Sequence, residues 1–143
     1  MNNKKMISRF HLAFPVNNLK SAKIFYTKIL GCKVGRESLK WVDFNLFGHQ
    51  IVAHYSPKDC NKLNKNLVDG DNIPSRHFGV ILKWSKWEEL SQRIYNKGIK
   101  FYIKPKIRFK GQKGEQGTFF ILDPSENVLE FKSFKNDSMV FES

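Results

Sequence analysis

The chain has two cysteines in 143 residues, few acidic side chains and no long apolar run. Neither Cys32 nor Cys60 has a second Cys or His at ligand spacing, so the sequence predicts neither a disulfide scaffold nor a cysteine-based zinc site. No stretch approaches the roughly 20 apolar residues of a membrane-spanning helix. Residues 1–9 lack the apolar segment of a secretory signal. We therefore expect a cytoplasmic protein that does not enter a membrane.

The shortage of acidic residues leaves a formal net charge of +12, from 25 Lys and Arg against 13 Asp and Glu. Clustered positive charge would favour nucleic-acid binding, but these lysines are scattered and often stand beside asparagine. No helix-turn-helix, zinc-finger or RNA-binding motif accompanies them. We expect a solvated basic surface and no nucleic-acid partner. One denser stretch, residues 104–113, favours binding of an anionic small molecule.

A repeated pattern is the main positive feature of the sequence. His11 opens an apolar run and His77 opens another, and each run is followed by a helical segment that ends at a glycine, Gly31 or Gly98. The interval between the histidines differs by one residue from the interval between the glycines. The chain is therefore interpreted as one domain, residues 1–143, built from two similar modules. Module one covers residues 7–56, a linker covers 57–75 and module two covers 76–135.

Hydrophobic periodicity predicts the order βαβββ in each module. Asn18 is the expected cap of the first helix, and Ser85 with Glu88 is the expected capping box of the second. On the first strand, His11, Ala13 and Pro15 alternate with larger apolar residues and share one face. The predicted strands are 10–16, 32–38, 41–47 and 50–55 in module one, and 76–83, 100–104, 117–122 and 127–134 in module two.

Twofold packing of such modules would bring His11 and His77 together. Glu130, in the last predicted strand, would add a carboxylate, giving two imidazoles and one carboxylate around a divalent metal. Overlaying residues 52–55 on 128–131 places His54 where module two has Glu130. The alternative for any one of these residues is an ordinary hydrogen-bonded histidine or a solvent-facing glutamate.

With these positions in view, the chain resembles the vicinal oxygen chelate superfamily, which includes glyoxalase I, extradiol dioxygenases and bleomycin-binding proteins. The resemblance implies an α+β fold in which two βαβββ modules form a cupped mixed sheet. Its matching residues are His11, Phe25-Tyr26, Leu30-Gly31, His77-Phe78-Gly79-Val80, Gly114-Glu115, Phe119-Phe120, Asp123-Pro124 and Leu129-Glu130-Phe131.

The resemblance further implies a divalent metal, Fe(II), Mn, Ni or Zn, bound by His11, His77 and Glu130. Relatives use such a metal as a Lewis acid for a small substrate with two adjacent oxygens, in lyase, isomerase or dioxygenase reactions. The modules would pair within one chain or by exchange between the chains of a homodimer. A metal-free protein that sequesters a drug, as bleomycin-resistance relatives do, is the alternative function.

Two further histidines are candidates for proton transfer. His54 would bind the metal or act as general base, with a pocket-wall residue as the alternative. His49 resembles in position the acid–base histidine of extradiol dioxygenases, and its alternative is a residue of a tight turn.

The expected substrate contacts are Arg108, Phe109, Glu115 and Phe120. Arg108 would hold a carboxylate or phosphate with two parallel hydrogen bonds, unless it belongs to a solvated surface loop. Phe120 stands where extradiol dioxygenases carry a tyrosine, which weakens a ring-cleavage function. Trp41, Phe44 and Phe119 are expected as further apolar walls of the cup.

Overall fold

A computed structural model describes residues 7–60, 65–68 and 71–142 of the chain. Its architecture is mixed α+β, with a four-stranded sheet, a three-stranded sheet and a short hairpin, so the predicted fold class is confirmed. Within the described ranges, no helix is both long and apolar enough to cross a bilayer.

The first sheet comes from module one. The elements of this module are β1 (His11–Val16), α1 (Leu19–Ile24) with a π-helical turn (Phe25–Ile29), β2 (Lys33–Glu37), β3 (Trp41–Leu46) and β4 (His49–Tyr55). The strand order is β1-β4-β3-β2. Strand β1 pairs in parallel with β4, whereas β4 with β3 and β3 with β2 pair antiparallel.

Helix α1 begins and ends as the sequence predicts. The Asn18 side chain accepts a hydrogen bond from the backbone N–H of Ser21 at 2.9 Å, which satisfies one of the free N–H groups of the first turn. At the other end Gly31 has a φ of +75°, a left-handed conformation that glycine adopts without a Cβ clash. Both ends of the helical segment are therefore determined by local sequence.

The predicted linker contains secondary structure that the sequence analysis missed. A hairpin joins β5 (Lys65–Val68) to β6 (Asp71–Pro74). Ile73 of β6 is buried against Phe120 and Val128 of the second sheet. The polar composition of residues 57–75 hid this hairpin, because the packing of Ile73 on the second sheet is a tertiary contact that composition does not reveal.

The elements of module two are α2 (Trp84–Asn96), β7 (Ile103–Arg108), β8 (Gln116–Leu122) and β9 (Val128–Phe134). The second sheet has the order β7-β8-β9, entirely antiparallel. Residues 77–82 run parallel to β9 through bridges from Phe78 to Leu129 and from Ile81 to Lys132, as β1 runs along β4. The predicted strand 76–83 thus appears as two isolated bridges.

Two boundary predictions for module two are wrong. Helix α2 begins at Trp84, and its N-cap, Lys83, makes no side-chain cap hydrogen bond, so the Ser85–Glu88 capping box does not form. Strand β7 begins at Ile103 rather than at residue 100 and continues through Arg108. The first half of the basic stretch 104–113 is therefore strand, not loop.

One hydrophobic core draws on both modules. The rings of Phe14 and Phe78 lie 5.2 Å apart between centroids. The buried Tyr26 hydroxyl of module one donates to Asp123 Oδ2 of module two at 2.8 Å. Phe44 and Phe119, expected as cup walls, belong to this core because their cross-strand partners Ile51 and Phe131 face it too. The cup is therefore formed by the residues that alternate with them.

Candidate metal centre

Each sheet has an open face, the side opposite the shared core. On the first sheet the register pairs His11 with Gln50 and Asp43 with Val52, and it places these four residues on the open face. The predicted separation of His11 from the larger apolar residues of β1 is confirmed by burial of Phe14 and Val16. The histidine side chain is thus available on the cup side.

On the second sheet the open face carries an imidazole–carboxylate pair. His77 Nε2 lies 3.3 Å from Glu130 Oε1, and the other oxygen, Oε2, accepts a hydrogen bond from the Thr118 hydroxyl at 2.5 Å. His77 Nδ1 lies 2.8 Å from the carbonyl oxygen of Pro74. Phe120 packs edge-on to the imidazole, with ring centroids 5.3 Å apart. Three neighbours, Pro74, Thr118 and Phe120, therefore fix the position of one imidazole and one carboxylate.

The electrostatics of the pair follow from these contacts. The hydrogen bond with Glu130 raises the pKa of His77; burial opposes this rise and the Pro74 carbonyl adds to it. Burial disfavours the ionised form of Glu130, but hydrogen bonds from His77 and Thr118 outweigh it and leave the pKa of this carboxyl below its usual value. The site therefore holds a carboxylate that attracts a cation.

His11 lies in a different group. Its Nδ1 is 2.8 Å from Gln50 Oε1, on the first sheet. Over residues 7–60, 65–68 and 71–142, no three His, Cys, Asp or Glu side chains of one chain are grouped so as to hold a metal ion. The structure therefore brings His77 and Glu130 together and does not add His11 to them within the chain.

Comparison with known proteins places this architecture in a family. A family profile, the Glyoxalase/Bleomycin resistance protein/Dioxygenase superfamily, matches residues 9–131. The chain belongs to this superfamily. A solved glyoxalase/bleomycin resistance protein/dioxygenase from Alicyclobacillus acidocaldarius is 34% identical, with a TM-score of 0.78, and the match covers 99% of this chain and 100% of that one.

More distant solved structures share the fold of this superfamily. The fosfomycin resistance protein FosX from Listeria monocytogenes is 18% identical, with a TM-score of 0.65 over 94% of this chain and 98% of that one. A lactoylglutathione lyase from Agrobacterium tumefaciens is 16% identical, with a TM-score of 0.65 over 91% and 96%. At such identities the likeness establishes architecture and leaves the reaction to be argued from the site.

The strand register corrects one part of the predicted repeat. Leu12 pairs with Ile51 as Phe78 pairs with Leu129, and Pro15 pairs with His54 as Ile81 pairs with Lys132. His54 therefore corresponds to Lys132, and the residue that corresponds to Glu130 is Val52. The overlay of 52–55 on 128–131 is two residues out, because a period of two preserves the hydrophobic pattern under that slip. In this superfamily member, module one has no carboxylate at the position of Glu130.

The two other histidines lie on opposite faces of β4. His54 pairs with Pro15 and Trp41, and it is exposed on the open face. His49 alternates with it, and its Nδ1 accepts a hydrogen bond from the backbone N–H of Phe10 at 2.9 Å. His49 is thereby held at the start of β4, on the side away from the cup.

The predicted substrate contacts are spread along one side of the second sheet. Arg108, at the end of β7, pairs with Gln116 and lies 5.2 Å from the ring centroid of Phe109. Glu115 Oε1 accepts from the backbone N–H of Gly111 at 2.9 Å and so closes the following loop. Phe120 is 2% exposed, because Ile73 covers it, and its polar neighbour is His77.

A cavity of about 700 Å³ lies beside His77. Ala13 and Pro15 of β1 contribute to one wall, and Arg76 and Asn127 contribute to others. His77 is the one predicted metal ligand in its lining. The cavity therefore reaches the imidazole from the side of the junction between the modules.

Sequence reasoning missed several residues that hold the candidate ligands. Thr118 stands two residues before Phe120 on the same face of β8, so strand alternation from the Glu130 partner could have found it. Gln50 and Asp43 could have been found in the same way once β3 and β4 were paired. The Pro74 carbonyl carried no signal, because backbone acceptors are common to all residues.

Proposed function

We propose that this chain is a metal-dependent enzyme acting on a small substrate with two neighbouring oxygens, by lyase, isomerase or dioxygenase chemistry. The His77–Glu130 pair supports the proposal. A carbonyl oxygen only accepts, so the contact with Pro74 puts the proton of neutral His77 on Nδ1. The Nε2 lone pair then faces a carboxylate oxygen 3.3 Å away. Two such acceptors repel each other unless a cation lies between them: either the proton of the charged imidazole, which makes the hydrogen bond to Glu130 described above, or a metal ion.

The proposed ligands are His77, Glu130 and a histidine at position 11. Two imidazoles and a carboxylate suit Fe(II), Mn, Ni or Zn. Because His11 of the same chain is outside the His77–Glu130 group, we assign the third position to His11 of the partner subunit in a homodimer. A twofold axis would then generate two equal sites.

A divalent ion bound there would act as a Lewis acid toward the adjacent oxygens of the substrate. Pro74 and Thr118 would keep the imidazole and the carboxylate aimed at it, as outer partners of metal ligands commonly do. His54 is the proposed proton acceptor because its imidazole is exposed on the open face. His49 faces the other way and serves as a control.

An anionic group on the substrate fits the second sheet. Arg108 and Gln116 pair across β7 and β8, and Lys132 pairs with Thr118 on the same open face. A guanidinium can hold a carboxylate or phosphate with two hydrogen bonds. Phe109 packs with Arg108 and Glu115 orders its loop, while Phe120 supports the His77 ring.

Metal analysis of the purified full chain tests this proposal. The wild type, reconstituted separately with Fe(II), Mn, Ni and Zn, is expected to retain one ion per subunit after desalting. H77A and H11A are expected to lose it, while H49A, whose imidazole lies on the opposite side of β4, retains it. If each site draws on two subunits, mixing H77A with H11A should restore one of the two sites in every mixed dimer, which is about a quarter of all sites after equimolar subunit exchange.

Absence of bound metal under all four supplements would refute the enzyme proposal. Binding of an aromatic or cationic drug by that metal-free protein would then support sequestration. Metal retained equally by H77A and the wild type would also refute it, because the ion would then lie elsewhere.

A further inference from the structure

Beyond its ligands, the proposed metal site has a second set of ordered side chains on the first sheet. We propose that Asp43 and Gln50 are positioning residues that fix His11 in the tautomer whose Nε2 can bind a metal. This inference rests on the proposed function and adds a defined protonation geometry to it. The three side chains form a continuous hydrogen-bonded row across β3, β4 and β1.

The row starts from a carboxylate that the backbone holds in place. Asp43 is 8% exposed, and its Oδ1 accepts a hydrogen bond from the backbone N–H of Arg36. A Cβ on Gly35 would lie 2.8 Å from that oxygen, so glycine leaves the room that the carboxylate needs. Asp43 is thus a fixed acceptor at the base of the row.

The fixed acceptor determines the orientation of the next side chain. Asp43 Oδ2 lies 2.9 Å from Gln50 Nε2, and an ionised carboxylate only accepts hydrogen bonds. The amide nitrogen of Gln50 must therefore face Asp43, which turns its oxygen toward His11. This chemistry by itself assigns the orientation of the amide.

The amide oxygen in turn determines the state of the imidazole. Gln50 Oε1 lies 2.8 Å from His11 Nδ1, and an amide oxygen only accepts, so Nδ1 carries the proton. In the neutral ring the lone pair is then on Nε2, the nitrogen that points away from the row. A metal ligand needs this free lone pair.

The same tautomer is imposed on His77 by a different device, the carbonyl of Pro74. His49 shows that the arrangement is not general in this chain, because its Nδ1 accepts from the Phe10 backbone N–H. The two histidines proposed as ligands share one tautomer, and the histidine that faces away from the cup has the other.

Nitrogen-15 NMR of the metal-free full chain, at a pH where the imidazoles are neutral, tests the row directly. We expect the wild type to show His11 with the proton on Nδ1. Q50L, which removes the acceptor of the Nδ1 proton, should move the population toward the Nε2–H form. Q92L, which removes an amide of the same type from exposed α2, should leave His11 unchanged.

A metal competition assay supplies a second readout. Q50L should weaken metal binding about tenfold, the lower end of the cost of losing an outer partner of a ligand. G35A should weaken it in the same direction by displacing Asp43. The thermal unfolding midpoint of Q50L should fall only slightly, because Gln50 is exposed and Asp43 Oδ1 keeps its backbone donor from Arg36.

A wild-type His11 with its proton on Nε2, or a Q50L tautomer and affinity equal to the wild type, would overturn the inference. The outcomes separate the two proposals. The expected tautomers in a chain that binds no metal would refute the metal site alone, and metal binding with an unchanged Q50L tautomer would refute the row alone.

Discussion

Each module places a histidine at the equivalent position of its own parallel strand pairing, but different contacts hold the two imidazoles. In module two, His77 meets a backbone carbonyl on one side and Glu130 on the other. In module one, His11 meets a side-chain amide that is anchored by Asp43. The fold therefore determines the positions of the two imidazoles, and residues of neighbouring strands determine their hydrogen-bond partners.

The strand register extends this comparison to two further pairs of equivalent residues. Val52 of module one corresponds to Glu130 of module two, and Ala13 corresponds to Gly79. Module two thus carries the carboxylate, together with a glycine that lets residues 77–82 approach β9 closely. The duplicated architecture thus gives one module two of the proposed ligands and the other module a single, oriented histidine.

The largest effect is expected at Gly79. A Cβ at this position would lie 1.5 Å from the Glu130 carbonyl oxygen, a backbone atom that cannot move without breaking the pairing with Phe78. G79A should lower the free energy of unfolding by about 3 kcal/mol, the upper range for overpacking. Urea denaturation measures it.

The reciprocal change, A13G in module one, is the matched control. It removes a methyl group from the open face and should cost at most about 1 kcal/mol, the usual cost of glycine in a strand. Equal losses in the free energy of unfolding for G79A and A13G would show that the backbone approach at Gly79 is no closer than at Ala13 and would contradict the comparison.

The next largest effect is expected for E130Q, which keeps the shape of the side chain and removes its charge. Metal affinity should fall by about 100-fold or more, since loss of an outer partner alone costs about 10- to 100-fold. Competition against a chelator of known affinity measures the change. E88Q, on the exposed side of α2, is the control, and an unaltered affinity in E130Q would exclude Glu130 as a ligand.

The fold and the positions of His11 and His77 could be predicted from the sequence because both depend on short-range patterns of residues. Alternation on β1 separated His11 from Phe14, and the Asn18 cap located α1. Prediction from the sequence failed where tertiary contacts determine whether an element forms or where it begins. The hairpin of β5 and β6 depends on Ile73 packing against the second sheet, and α2 begins without the capping box at Ser85.

The candidate site shows the same division. His77 and Glu130 were predicted to lie together, and they do. The overlay that matched His54 with Glu130 was two residues out, and because a slip of two keeps the same residues on the core face, the apolar pattern could not reveal it. Hydrogen-bond partners such as Thr118 and Pro74 depend on strand register and chain path. Such partners become visible only after the strands are paired.

A third variant introduces into module one a carboxylate at the position where module two carries Glu130. V52E places a glutamate at the position equivalent to Glu130, on the open face next to the row that holds His11. If the half-sites of two subunits share an ion, metal affinity should rise about tenfold, which corresponds to about 1.4 kcal/mol. The metal-free protein should become less stable, because Asp43 is the cross-strand partner of residue 52.

V52Q, similar in size and neutral, separates charge from bulk. It should leave metal affinity at the wild-type value. An affinity that is the same in V52E and V52Q would mean that module one does not face the ion, and the proposed pairing of half-sites would then be wrong.

The smallest effect is expected at the contact that couples the modules. Burial raises the pKa of Tyr26, and the neighbouring Asp123 raises it further, so the hydroxyl stays protonated and donates to Asp123 Oδ2 at 2.8 Å. Y26F removes this buried hydrogen bond while Asn127 still donates to the same oxygen at 2.9 Å. The loss should therefore be about 1 kcal/mol in urea denaturation, near the low end for a buried acceptor. Y95F, at a tyrosine that is 70% exposed on α2, should cost nothing measurable. Helix α2 is tied instead to its own module, through Trp87 Nε1 donating to Phe131 O at 2.9 Å. A loss in Y26F no larger than in Y95F would therefore mean that the Tyr26 hydroxyl does not help to join the two modules, which the shared core and contacts such as Asn127 Nδ2 donating to Pro15 O at 2.9 Å would then hold without it.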